Sequence, residues 1–181
     1  IRDIGVTGVQ TCALPIYAGA AEQYRFLLGR IPLRGWQTGL GEALLNQGQF
    51  AEAEQAYRAA LDQDERFTPA LVGLGVARAA QSDAAGAEKA FREALRMQPG
   101  MAEANNSLGR LLQSQGKWEE AAQAYRQAVA AQPGLAVARF NLASVLARQQ
   151  KEDEAIDQLR QAVKDDPALA EIGRASCRER V

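Results

Sequence analysis

Histidine is absent from the 181 residues of this chain. That absence excludes Ser-His-Asp and Cys-His catalysis and removes imidazole as a metal ligand. Cysteine occurs twice, at Cys12 and Cys177, and aromatic residues make up only 6% of the chain. Neither sign of charge dominates. The 21 basic and 22 acidic residues give a net charge of −1, without the basic excess by which nucleic-acid binders are read. Nucleic acid is therefore not an expected partner. No apolar run approaches the roughly 20 residues that span a bilayer, so no membrane span is expected. There is also no glycine-rich phosphate loop, no metal-ligand cluster and no nucleophile beside a base. The reading accordingly assigns no catalytic, cofactor-binding or metal residues, no cofactor, and no enzymatic activity. What remains is a chain 47% hydrophobic, of a size suited to one globular domain.

The two ends read differently from the middle. Residues Val6–Ile16 spell VTGVQTCALPI and Ile172–Val181 spell IGRASCRERV. Both resemble conceptual translations of sequencing-adapter DNA. On back-translation the first ends in GCTCTTCCGATC, the reverse complement of the GATCGGAAGAGC that opens the second, as expected of an insert flanked by paired adapters. Residues 1–16 also lack the continuous apolar core of a secretion signal. The expectation is that 1–16 and 172–181 are adapter-derived, with Glu171 at the junction, and that 17–170 is a window cut from a longer gene. Both cysteines fall in the set-aside ends, so no disulfide is read from them.

The middle repeats itself every 34 residues. Segments 34–67, 68–101, 102–135 and 136–169 align without a gap. Position 7 is Leu40, Leu74, Leu108 and Leu142, and position 8 is Gly41, Gly75, Gly109 and Ala143. Position 20 is Ala53, Ala87, Ala121 and Ala155; position 27 is Ala60, Ala94, Ala128 and Ala162. Position 24 is Tyr57, Phe91, Tyr125 and Leu159, and position 32 is Glu65, Pro99, Pro133 and Pro167. Self-similarity at this period marks a stacked helical array. Within each repeat apolar residues recur at helical spacing, as in Leu108, Leu111 and Leu112 followed by Trp118, Ala121, Tyr125 and Ala128. Small residues at positions 8, 20 and 27 suit close approach of helix backbones. Gly48 and Gly116 suit left-handed C-terminal caps, and the Pro99-Gly100 and Pro133-Gly134 pairs stop second helices. Acidic residues gather where second helices begin, at the positive end of the helix dipole. The second repeat is the weakest, with Ser82 in place of the turn glycine and Ala84-Ala85 in place of bulkier packing.

At these positions the chain resembles the tetratricopeptide repeat family. The resemblance covers 34–169, and 17–33 is similar to the second helix of a truncated fifth repeat, one residue out of phase, with Ala20, Tyr24 and Pro32 in place. The family's frequent tryptophan at position 4 is missing. The resemblance implies an all-α fold, a solenoid of antiparallel helix pairs in a right-handed superhelix.

It also implies a concave groove, lined by first helices, that takes peptides. Its candidate residues here are Thr38, Glu42, Val72, Val76, Asn106, Arg110, Gln113, Phe140, Asn141 and Ser144. The family's carboxylate clamp, which holds acidic chaperone tails, uses lysine with asparagine or arginine at positions 2, 5, 6 and 9. This chain has no lysine at any of them, and only Asn106, Arg110 and Asn141 are of a suitable type, so a clamp receptor is not expected. A second pattern is an arginine at position 25 of every repeat: Arg58, Arg92, Arg126 and Arg160, with Arg25 in the half-repeat. An outer basic ladder could hold phosphate or an acidic partner. The structural alternative, a solvated position paired to Glu54 and Glu88 at i, i+4, is favoured.

The leading expectation is a protein-interaction scaffold holding a peptide or partner subunit. The alternatives are the repeat region of a larger transferase and a bacterial envelope or pilus assembly factor. The alanine- and glutamine-rich composition is compatible with a prokaryotic source.

Overall fold

The computed structural model describes residues 19–29 and 33–169. The adapter-like ends, both cysteines and Pro32 lie outside the described residues. Regular structure among the described residues is helical throughout. Helix α1 covers residues 19–28. It is followed by α2 (Arg34–Asn46), α3 (Phe50–Gln63), α4 (Thr68–Ala80), α5 (Ala84–Met97), α6 (Ala102–Ser114), α7 (Trp118–Ala131), α8 (Ala136–Arg148) and α9 (Glu152–Asp165). First and second helices alternate at 13 and 14 residues, and each recurs at the 34-residue spacing of the sequence. None of the described helices is long and apolar enough to cross a membrane.

The chain divides into two compact units, Ile1–Met97 and Gln98–Val181. In the first, α2 pairs antiparallel with α3 and α4 with α5, and α4 returns against α3. In the second, α6 pairs with α7 and α8 with α9, and α8 returns against α7.

The turn inside every pair has one geometry. In the first pair the Gly48 N–H donates to the Leu45 carbonyl at 3.0 Å and the Gln49 N–H to the Leu44 carbonyl at 2.9 Å, the two bonds that satisfy the last open carbonyls of a helix. The outer bond recurs from Asp83 to Arg78, Lys117 to Leu112 and Lys151 to Leu146. This turn requires a left-handed residue. Gly48 and Gly116 supply it at φ 76° and 74°, whereas Ser82 and Gln150 are held there at 65° and 62°. Helix α5 has no acidic first turn, but the Asp83 carboxylate accepts from the Gly86 N–H at 2.9 Å and caps it.

Packing follows the repeat positions. Ala53, Ala87 and Ala121 at position 20, and all four alanines at position 27, have no exposed surface. Tyr57, Phe91 and Tyr125 are fully buried beside them. A methyl group built on Gly41, Gly75 or Gly109 would lie 2.7, 2.5 and 2.7 Å from the ring of its own repeat, so the position-8 glycine is the seat of the position-24 aromatic. Tyr57 also packs on Gly73 of α4, and Tyr24 of α1 packs on Gly39 of α2. The fourth repeat changes both partners together, to Ala143 and Leu159, and Leu159 is left 40% exposed. On α1 it is Ala21, not Ala20, that is buried.

Candidate functional site

In the first unit the four candidate groove residues separate into two kinds. Thr38 is buried, and its hydroxyl donates to the Arg34 carbonyl at 2.9 Å. Val72 is only 1% exposed. Both belong to the packing between helices rather than to an open wall, which corrects the reading of position 5 in this unit. Glu42 is exposed and Val76 half-buried.

In the second unit Asn106 and Asn141 come together. Asn141 on α8 donates from Nδ2 to Oδ1 of Asn106 on α6, at 3.1 Å. Each amide in this pair spends one of its groups on the other. The second N–H of Asn141, the amino group of Asn106 and the Asn141 carbonyl are not used in this pair. Arg110 follows Asn106 by one helical turn, is exposed, and has no ion-pair partner among the described residues. Gln113 accepts at Oε1 from the Tyr125 hydroxyl at 2.8 Å. Burial pushes that phenol well above its ordinary range, against the opposing pull of Arg110, so Tyr125 remains a neutral donor and fixes the direction of the Gln113 amide.

Phe140 and Ser144 open on a different surface. With Ala143 and Ala147 of α8, and with Glu152, Ala155, Ile156 and Leu159 of α9, they line an apolar hollow of about 340 Å³. Ile156 is 46% exposed. The α9 residues escaped the sequence reading, which took second helices to be packing and ladder only. The signal was present in the loss of the aromatic at position 24, where Leu159 stands.

The arginines at position 25 are all matched to carboxylates. Arg58 meets Glu54 and Arg92 meets Glu88, both at 2.8 Å and four residues apart. Arg25 and Arg126 instead reach the next helix pair, to Glu52 at 2.8 Å and Glu154 at 3.2 Å. Both of those carboxylates occupy position 19. Arg58 has Gly86 at that place in the following pair and turns back to its own helix. Among the described residues Arg160 meets only Asp157, at 3.6 Å, with both side chains about three-quarters exposed. A shielded tie also crosses from α3 to α4: Arg78 donates to Glu54 at 2.9 Å and Gln81 adds a second bond. The Arg78 hydrogen bond, more than any other contact, holds the Glu54 carboxyl below its ordinary value.

No curated protein matches the sequence. Among solved structures, MamA is similar over 94% of this chain and 99% of its own, at 22% identity and a TM-score of 0.70. TTC0263, a thermophilic TPR protein of Thermus thermophilus, is similar over 93% and 94%, at 21% identity and a TM-score of 0.79. YrrB, described as a TPR protein with an unusual peptide-binding site, is similar over 92% and 87%, at 18% identity and a TM-score of 0.62. At such identities the likeness shows the fold. The family model for the tetratricopeptide repeat matches four overlapping windows, 17–66, 38–102, 72–136 and 106–170. With the helix pairs in the same 34-residue register, the chain belongs to the tetratricopeptide repeat family.

Proposed function

We propose that the chain is a protein-interaction scaffold that holds an extended peptide on the first-helix face of its second unit. The observation that carries this reading is the Asn106–Asn141 amide pair bridging α6 and α8, with Arg110 one turn away, exposed and without an ion-pair partner among the described residues. Two primary amides in register can donate to and accept from a peptide backbone without regard to its side chains. The guanidinium adds selection for one carboxylate, through a charge-assisted hydrogen bond. Without lysine at positions 2, 5, 6 and 9, a terminal carboxylate held from several sides is not the expected ligand; an acidic side chain within a peptide is. The role is binding rather than catalysis. Repeat proteins use such extended faces for recognition, and the peptide-binding description of YrrB supports the same reading.

The test is selection of peptides from a displayed random library against the chain, followed by affinity measurement. Selected peptides should carry an Asp or Glu and should lose about tenfold or more in affinity for Arg110→Ala, and again for Asn141→Ala, as expected for hydrogen bonds involving a charged group. Peptides that bind both variants as tightly as the parent would refute the assignment.

A further inference from the structure

Gln113 lies one turn beyond Arg110 on the face of α6 that carries Asn106, at the i, i+4, i+7 spacing that lines residues up along a helix. Its side chain is half-buried, and its carbonyl accepts from the Tyr125 hydroxyl of α7 at 2.8 Å. Tyr125 has no exposed surface. A hydroxyl shut away from water must put its proton on an acceptor, because leaving it unpaired costs the desolvation of the group. A Gln113 amide turned the other way would set donor against donor. The buried phenol therefore holds this amide one way round, with its oxygen inward to α7 and its amino group directed elsewhere.

The pairing is particular to the third repeat. Position 12 is Leu45, Ala79 and Ala147 in the others, and position 24 there is Tyr57, Phe91 and Leu159. Packing does not require the hydroxyl, since Phe91 fills the same seat against Gly75 and is equally buried. What the Tyr125 hydroxyl adds is an orientation. It adds it beside Arg110, whose positive charge reaches the same phenol.

We infer that Gln113 is a second donor to the acidic side chain that Arg110 selects, and that Tyr125 is the residue that positions it. This rests on the peptide reading above and deepens it. Arg110 and Gln113, three residues apart and neighbours on the helix surface, meet one carboxylate through different oxygens. A carboxylate accepts at both oxygens, whereas the amide of Asn or Gln accepts at one end and donates at the other. With its oxygen on Arg110, such an amide would turn its amino group against that of Gln113. The site therefore selects Asp or Glu over Asn or Gln by geometry as well as by charge. Tyr125 enforces the geometry from the helix behind, without touching the peptide.

The test uses a library-selected acidic peptide and its counterpart with the acidic residue changed to the matching amide. Both are titrated, with fluorescence anisotropy as the readout, into the parent chain and into Tyr125→Phe, Gln113→Leu and Arg110→Ala chains. The parent should prefer the acidic peptide. Tyr125→Phe keeps the ring and lets the Gln113 amide turn, so the acid-over-amide ratio of affinities should fall about fivefold or more, with the circular dichroism of the parent. Gln113→Leu should lower the ratio as far. A Tyr125→Phe chain with the parent ratio would overturn the inference. So would an equal loss of both peptides, which would mark the hydroxyl as structural alone. If Arg110→Ala changed neither affinity, the peptide reading itself would fail and this inference with it. A ratio lost in Arg110→Ala but kept in Tyr125→Phe and Gln113→Leu would sink this inference and leave that reading standing.

Discussion

A methyl group at Gly109 would stand 2.7 Å from the Tyr125 ring, closer than a side-chain carbon can come without displacing its neighbour. Gly109→Ala should therefore cost about 1–3 kcal/mol through overpacking. The urea midpoint is the check, and Ala121→Leu at the fully buried position 20 should lose a similar amount. The opposite sign is expected at Ser82 and Gln150. Both hold a left-handed backbone, which disfavours any residue with a Cβ. Ser82→Gly and Gln150→Gly should each stabilise by roughly 0.5–1 kcal/mol, the relief of strain exceeding the added entropy of the unfolded chain. A lowered thermal midpoint in either variant would contradict the turn geometry. Gly48 and Gly116 were legible as left-handed caps from residue type. Ser82 and Gln150 were not, because neither side chain announces a positive φ; only the repeat register places them there.

At the scale of helices, the ties between pairs decide how one repeat is held to the next. Glu54 and Arg78 join α3 to α4 with little of either side chain exposed. Loss of this carboxylate in Glu54→Gln should cost about 1 kcal/mol, the usual net worth of a hydrogen-bonded group in this setting. The pH dependence has a defined sign. The folded-state pKa lies below the ordinary 4.5. The contribution is therefore complete above pH 4.5 and is lost as pH falls through the lower folded-state value. Urea titrations of parent and Glu54→Gln should differ at pH 7 and converge as the pH is lowered through that value; a difference that persists in acid would refute the electrostatic origin. The sequence allowed the Glu54–Arg58 and Glu88–Arg92 pairs to be read, since they lie on one helix. The crossing pairs, Arg25–Glu52, Arg78–Glu54 and Arg126–Glu154, could not be read from helical spacing. Partners 24 to 28 residues apart depend on how neighbouring helices cross. For the same reason the burial of Thr38 and Val72 was hidden. A helical wheel gives the direction of a side chain from its own axis, not what the adjacent helix covers.

For the whole molecule, the 34-residue period was enough to give an all-α array of helix pairs, because each repeat buries its apolar face only against a neighbour. Function was less legible. The candidate residues were assigned by position, and the structure gathers Asn106, Asn141 and Arg110 on one face while turning Phe140 and Ser144 towards a separate hollow. On the proposed reading, recognition runs through first helices and the second-helix arginines serve structure. The most direct test is an amide chemical-shift map of the isotope-labelled chain, recorded as a library-selected acidic peptide is added. Saturable shifts are expected on the backbone amides of Asn106, Arg110 and Asn141 and on the side-chain amides of the two asparagines, with Arg58, Arg92, Arg126 and Arg160 unmoved. Shifts centred on those four arginines, with α6 and α8 unchanged, would contradict it.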